Sequence, residues 1–214
     1  MTEQYVELHA ASAFSFLQAA SQPESLIERA VEIEMPAMAL LDYNGVYGAA
    51  RFHTTAQRNS VRAHVGAEIS VSSFGPRLTP PAWLPHQHQS EPARLPLLCE
   101  SREGYQNLCQ LITQFKMRDA NKKDGAATFD DLSEYASGLV CLTGGDEGPL
   151  AAALARGGEA AGRETVERLT RIFGNGHVYI ELQRHQERAE EWRNQAAIRI
   201  ARSLNVPVIA TNGV

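Results

Sequence analysis

Short apolar runs of strand length alternate along the chain with longer stretches whose apolar residues recur at helical spacing. Tyr5–His9 reads as a first strand. A helix follows, with Ser21 at the N-cap, Pro23 in the first turn and Glu24 at the third position, and its pattern runs to Ile33. Ala37–Leu41 is an unbroken apolar run ending in Asp42, as expected of a strand buried on both faces. The stretch Tyr47–Asn59 is helical in composition, and His64–Val71 is the next strand, carrying Glu68. Then come a strand at Leu95–Cys99, a helix at Glu103–Phe115 and a short capped helix at Phe129–Tyr135. A strand at Gly138–Leu142 precedes two helices, Gly148–Arg156 and Gly162–Phe173. The chain closes with a strand at Val178–Leu182, a long helix at Glu187–Leu204 and a strand at Val206–Thr211. Strands alternating with helices in this way predict βαβ units, an α/β fold with a parallel sheet or barrel, and one domain over residues 1–214.

Two stretches break the rhythm. Residues 72–96 hold six of the ten prolines and the tract His86-Gln87-His88, which predicts a long irregular loop. Arg118–Thr128 is polar and contains Lys and Gly, and reads as a mobile connection. The last residues, Ala210–Val214, fall at a strand end where an α/β domain ordinarily continues, which suggests a fragment of a longer protein.

Composition narrows the class. Hydrophobic residues at 43% and charged residues at 21% are ordinary for a soluble globular protein. A net charge of -5 argues against a surface that is itself a strong phosphate-binding patch. No apolar run approaches the ~18 residues that span a bilayer, and no leader pattern opens the chain, so the expected location is cytoplasmic with no membrane partner. Cys99, Cys109 and Cys141 form no CxxC pair and read as core thiols in a reducing compartment.

In parallel α/β folds the chemistry gathers at the carboxyl ends of the strands. Those positions hold His9, Asp42 and Glu68, with Cys141 on a later strand and Asn212 just after the last one. One imidazole and two carboxylates could bind Zn²⁺ or Mn²⁺. The same residues have structural readings. His9 could be a hydrogen-bonded rim residue, Asp42 a cap for the following turn, and Glu68 a partner of Arg62 or Arg94. His185 could close a hydrogen-bond network at a strand end. Arg184, Arg188, Arg193, Arg199 and Arg202, mixed with Glu187, Glu190 and Glu191, suit an ion-paired solvated face better than a nucleic-acid stripe.

Several motifs carry a family resemblance. Leu8-His9-Ala10-Ala11-Ser12-Ala13-Phe14-Ser15-Phe16-Leu17, Leu40-Leu41-Asp42-Tyr43, Val65-Gly66-Ala67-Glu68 and Ala210-Thr211-Asn212 resemble the successive motifs of the PHP (polymerase and histidinol phosphatase) domain. Leu95–Cys99 with Glu103–Leu108, and Tyr179–His185 with Val206–Asn212, are similar to segments of bacterial family C DNA polymerase III α subunits. The first motif and Gly45-Val46-Tyr47-Gly48 look closest to the error-prone branch. The resemblance covers essentially the whole chain and implies a distorted (β/α)7-type barrel.

Active members of the family hold several metal ions, and the resemblance allows a residue-by-residue comparison. His9 matches the first imidazole, and Ala11 replaces the second. Gln18 stands where an Asp is expected. Asp42 fits the pattern, but Tyr43 replaces the following His. Glu68 matches a bridging carboxylate. Arg94 falls at a His position, Gly145 at a Cys or His position, and Gly213 at an Asp position. His9, Asp42 and Glu68 thus remain as a remnant metal site that is expected to be unoccupied, and no cofactor is expected in this segment. A guanidinium at a former ligand position repels divalent cations and can pair with Glu68. The resemblance implies a scaffold packed against the thumb and palm of a polymerase that meets DNA as a full-length protein. Two alternatives stay open. One is a metal-dependent phosphoesterase or 3′–5′ exonuclease working with Zn or Mn at a reduced site. The other is a free-standing binding module.

Overall fold

The computed structural model describes residues 5–72, 92–118, 125–186 and 188–214. Its elements are α1 (Pro23–Glu32), β1 (Ala37–Tyr43), α2 (Ala49–Arg58), β2 (Arg62–Val71), β3 (Ala93–Cys99) and α3 (Arg102–Arg118). There follow α4 (Phe129–Tyr135), β4 (Leu139–Leu142), α5 (Pro149–Phe173), β5 (Val178–Leu182), α6 (Arg188–Leu204) and β6 (Val208–Ala210). The six strands form one sheet in sequence order. The pairs β1/β2, β4/β5 and β5/β6 are parallel, whereas β2/β3 and β3/β4 are antiparallel. The expected all-parallel sheet is therefore corrected to a mixed one. Apolar runs mark strands but do not encode their direction.

The expected first strand is corrected too. Tyr5–His9 contributes only a bridge between Glu7 and Met38. The segment is nonetheless bonded on both sides. Glu7 and Ala10 carbonyls accept from Ala39 and Leu41 N–H at 2.8 and 2.7 Å on the β1 side. On the other side Ala11 N–H donates to the Val214 carbonyl at 2.6 Å, and Val214 N–H donates to the His9 carbonyl at 3.1 Å. The sheet curls into a half-barrel, and an irregular segment ties β1 to the chain just past β6. That tie brings His9 beside strands that lie at the far end of the sequence.

Helix positions follow the periodicity closely. In α1 the N-cap is Gln22 rather than Ser21, with no side-chain cap, and Pro23 opens the helix. In α4 the Thr128 hydroxyl and the Asp131 carboxylate form a reciprocal capping box. The expected break between two helices appears as a kink inside α5, where Gly157 (φ -142°) and Gly158 (φ 64°) leave helical geometry. The main core lies between the sheet and α3–α5, around Ile69, Leu95, Leu97, Leu108, Leu111, Phe115 and Leu169. Each such buried side chain contributes about 1.5–3 kcal/mol relative to exposure. Ile27, Met38, Leu40 and Phe52 seat α1 and α2 on β1. Leu154, Val166, Ile180 and Ile200 join α5 and α6 to β5.

The expected loop over 72–96 is shorter than its proline content suggested. Ala93–Pro96 already belong to β3, paired with Glu68–Val71 of β2. The rest of that stretch, including His86 and His88, lies outside the described residues, as do positions 119–124 of the expected mobile connection. The far end of that connection is fixed, since Ala127 bridges to Val71 and Thr128 caps α4.

Candidate functional site

His9 stands at the centre of the curled end of the sheet. Its Nδ1 is 2.6 Å from Glu181 Oε1 on β5, and its Nε2 is 3.3 Å from Glu68 Oε1 on β2. Its backbone N–H donates to Glu7 Oε1 at 2.8 Å. The ring is buried, and burial alone would depress its pKa. Glu181 first and Glu68 second outweigh that effect and raise it to about 10, so the ring is an imidazolium between two carboxylates. Burial pushes the Glu181 carboxyl up, but His9, Thr211 and Gln183 together hold it below the usual carboxylate range. Glu181 Oε1 accepts from Gln183 Nε2 at 3.0 Å and from the Thr211 hydroxyl. Its Oε2 has no hydrogen-bond partner among the described residues.

Glu68 has a second cation beside it. Arg94 Nη1 on β3 lies 3.7 Å from Glu68 Oε2 and 2.7 Å from Glu147 Oε2. Of the two partners weighed for Glu68 from the sequence, the structure places Arg94 there.

Asp42 ends β1 and is buried, but both of its oxygens are engaged. Oδ1 accepts from Ser12 N–H (2.9 Å), the Ser12 hydroxyl (2.7 Å) and the Ser15 hydroxyl (3.0 Å), and Oδ2 accepts from Gly48 N–H (2.7 Å). Ser15 Oγ accepts in turn from Tyr43 N–H at 3.0 Å. Asp42 therefore ties loop 12–15 and the start of α2 to β1, and none of these four hydrogen bonds involves His9, Glu68 or Glu181.

The positions of other expected ligands are filled differently. A Cβ at Gly145 would sit 2.1 Å from Gln183 Oε1, and one at Gly213 would sit 2.7 Å from Gln183 Nε2. The Gln183 amide thus occupies the space that side chains at both positions would need. Cys141 is buried on β4, and burial raises its thiol pKa well above the usual range. Asn212 takes part through its backbone N–H, which donates to Glu7 Oε2 at 3.0 Å. His185 does close a network at the end of β5. Its Nδ1 is 2.6 Å from Glu190 Oε1 and its Nε2 is 2.8 Å from the Asn212 carbonyl. The arginines on and just before α6 are ion-paired at Arg184–Glu191, Arg193–Asp146 and Arg199–Glu159. Among the described residues no group of three or more His, Cys, Asp or Glu side chains is arranged to hold a metal ion.

Sequence reasoning missed Glu181, Gln183 and Glu7 as members of the cluster. Glu181 did carry one signal, as a single carboxylate between Ile180 and Leu182 in a buried strand. Its partner His9 is 172 positions away, beyond the reach of any local pattern.

The PHP domain model matches residues 7–185. The chain belongs to the PHP family. This PHP domain is 36% identical over 98% of its length to the error-prone DNA polymerase of Mycolicibacterium paratuberculosis, of which it covers 18%. It is also 36% identical over 98% of its length to the error-prone DNA polymerase of Anaeromyxobacter sp. (strain K), covering 17% of it. Identity to DNA polymerase III subunit alpha of Buchnera aphidicola is 30% over 99% of the chain, again covering 17% of that protein. The PHP domain thus spans less than a fifth of the curated relatives it matches. A solved metal-dependent phosphoesterase structure from Bifidobacterium adolescentis superposes with a TM-score of 0.63 at 10% identity, covering 98% of this chain and 87% of that one. An amidohydrolase from Chromobacterium violaceum, solved with sulfate and without metal, gives 0.60 at 13% identity, covering 98% and 86%. These two likenesses establish the fold. No helix among the described residues is long and apolar enough to cross a membrane.

Proposed function

We propose that residues 1–214 form the N-terminal PHP domain of a bacterial error-prone DNA polymerase, and that the domain acts there as a scaffold rather than as a hydrolase. The observation that carries the first half is 36% identity over nearly the whole chain to error-prone DNA polymerases several times its length. In that setting the partner is the rest of the polymerase chain, its thumb and palm regions, in the cytoplasm, and DNA is bound by the full-length protein.

The second half rests on the chemistry of the cluster. A site that activates water and binds phosphate oxygens on metal ions needs several convergent donors with free lone pairs. Here both His9 ring nitrogens face carboxylates, Asp42 is saturated by four donors, and Gln183 fills the space beside Gly145 and Gly213. Arg94 adds a fixed positive charge. These residues do not fit a polynuclear metal centre. His9, Asp42 and Glu68 are in this reading a remnant without metal, and neither Zn nor Mn is a resident cofactor.

The test is to purify the longer chain that contains this segment and assay primer extension and 3′-end hydrolysis, with Zn²⁺ and Mn²⁺ added in turn. Template-directed extension without hydrolysis is expected. Absence of extension sinks the polymerase assignment. Phosphodiester hydrolysis that disappears in Glu68→Gln sinks the scaffold assignment and favours a reduced-site exonuclease.

A further inference from the structure

Arg94 does more than pair with Glu68. It sits on β3 in register with Ser70 of β2, and its side chain is 19% exposed. Nη1 donates to Gln18 Oε1 at 2.6 Å, in the loop that follows the irregular first segment. The same nitrogen lies 2.7 Å from Glu147 Oε2, in the turn between β4 and α5, and 3.7 Å from Glu68 on β2. The guanidinium carbon stands 4.6 Å from the centre of the Tyr43 ring on β1. The Arg94 backbone N–H also donates to the Glu147 carbonyl at 2.8 Å. One side chain therefore joins the first loop, β1, β2 and the β4–α5 turn to β3.

We propose that Arg94 is a built-in cation that crosslinks the open end of this fold, doing for the chain segments what a divalent ion does when it ligates side chains from several strands. The inference rests on the metal-free reading above and assigns the cation's duty to one residue. Glu68 of β2 and Glu147 of the β4–α5 turn converge on this one guanidinium, and acidic groups brought together from separate segments need a positive charge among them. Arginine suits the position because one terminal nitrogen serves Gln18 and Glu147 while the planar face of the guanidinium lies over the Tyr43 ring; an ammonium group offers a compact charge and no stacking surface. Partial burial and shared partners distinguish the arrangement from an isolated surface ion pair, which contributes little.

The experiment is thermal unfolding of the purified 214-residue chain in EDTA, in Zn²⁺ and in Mn²⁺, for wild type, Arg94→Met, Arg94→Lys and the double variant Gln18→Ala/Glu147→Gln. The wild-type midpoint should be the same in all three buffers. Arg94→Met should melt about 4–8 °C lower in EDTA, the shift expected for losing a partly buried charge network in a chain of this size. Mn²⁺ or Zn²⁺ should raise the midpoint of Arg94→Met, because an external cation can then enter among the freed carboxylates. Arg94→Lys should remain below wild type. The double variant alters two exposed side chains, so it can be read even if Arg94→Met does not fold, and it too should melt below wild type. An Arg94→Met midpoint equal to wild type, or one that is lowered but unresponsive to both ions, overturns the crosslinking role while leaving the metal-free reading intact. A wild-type midpoint that falls in EDTA overturns the metal-free reading itself.

Discussion

Asp42→Ala removes the acceptor for four hydrogen bonds at one stroke. The carboxylate is 1% exposed, and its donors are two main-chain N–H groups, Ser12 and Gly48, and two hydroxyls, Ser12 and Ser15. Each hydrogen bond to a charged group contributes about 1.5–3 kcal/mol net, and each buried donor left without a partner costs about 1–3 kcal/mol. The hydroxyls can rotate toward other acceptors, so the two N–H groups dominate, and the expected loss is about 3–5 kcal/mol. At roughly 2–4 °C per kcal/mol for a chain of this size, the midpoint should fall by about 6–20 °C. Asp42→Asn keeps an acceptor for the serine side but turns an NH₂ group toward Gly48 N–H, so it should cost about 2 kcal/mol. Urea unfolding at 25 °C measures both values. Neither loss should be reversed by Zn²⁺ or Mn²⁺, because Asp42 stabilises the fold through protein donors. An Asp42→Ala variant within about 1 kcal/mol of wild type would refute the reasoning.

The remaining predictions concern charge and close packing. His9 has a folded pKa raised from 6.5 to about 10, so its stabilising contribution is complete below about pH 6.5 and is lost as pH rises through 10. Unfolding experiments across that window should show declining stability, and a flat profile would contradict the imidazolium assignment. The Arg118 fork, at 2.6 and 2.9 Å, with help from Thr128, lowers the Asp131 pKa from 3.8 to about 2. That contribution is present above about pH 4 and lost as pH falls through 2. Because Arg118 is half exposed, Arg118→Ala should cost only about 1 kcal/mol at pH 7, with the difference from wild type vanishing in strong acid. A Cβ at Gly104 would stand 1.8 Å from the Gly138 carbonyl oxygen, so Gly104→Ala must push α3 away from the start of β4 and should cost about 1–3 kcal/mol. A wild-type midpoint for that variant would show that the approach of α3 is looser than described.

What the sequence made legible was the local part. Ala37–Leu41, Val178–Leu182 and the two helices flanking Gly157-Gly158 are visible because periodicity and glycine punctuation are local signals. Phe129–Tyr135, read from the sequence as a short capped helix, has those bounds in the structure, where Thr128 supplies the cap. The antiparallel return of β3 was not legible, because Leu95–Cys99 has the same apolar run in either direction. The start of β3 was hidden by its composition, with Pro92 and Pro96 flanking Arg94 and masking the pairing with Ser70 and Val71. In the site, motif positions pointed to His9, Glu68 and Arg94. Their geometry depends on residues far away in sequence, Glu181 and Gln18 above all. Tyr5–His9 had the composition of a strand, yet its backbone pairing is divided between β1 and Val214, which prevents a regular ladder with either.

The most direct measurement is metal content per chain, by elemental analysis, after incubation with Zn²⁺ and Mn²⁺ and exhaustive dialysis, for wild type and Glu68→Gln side by side. A site whose carboxylates are neutralised by His9 and Arg94 predicts that wild type retains no more metal than the variant. Stoichiometric metal in wild type that is lost in Glu68→Gln would contradict that exchange of cations and restore a working metal centre to this PHP domain.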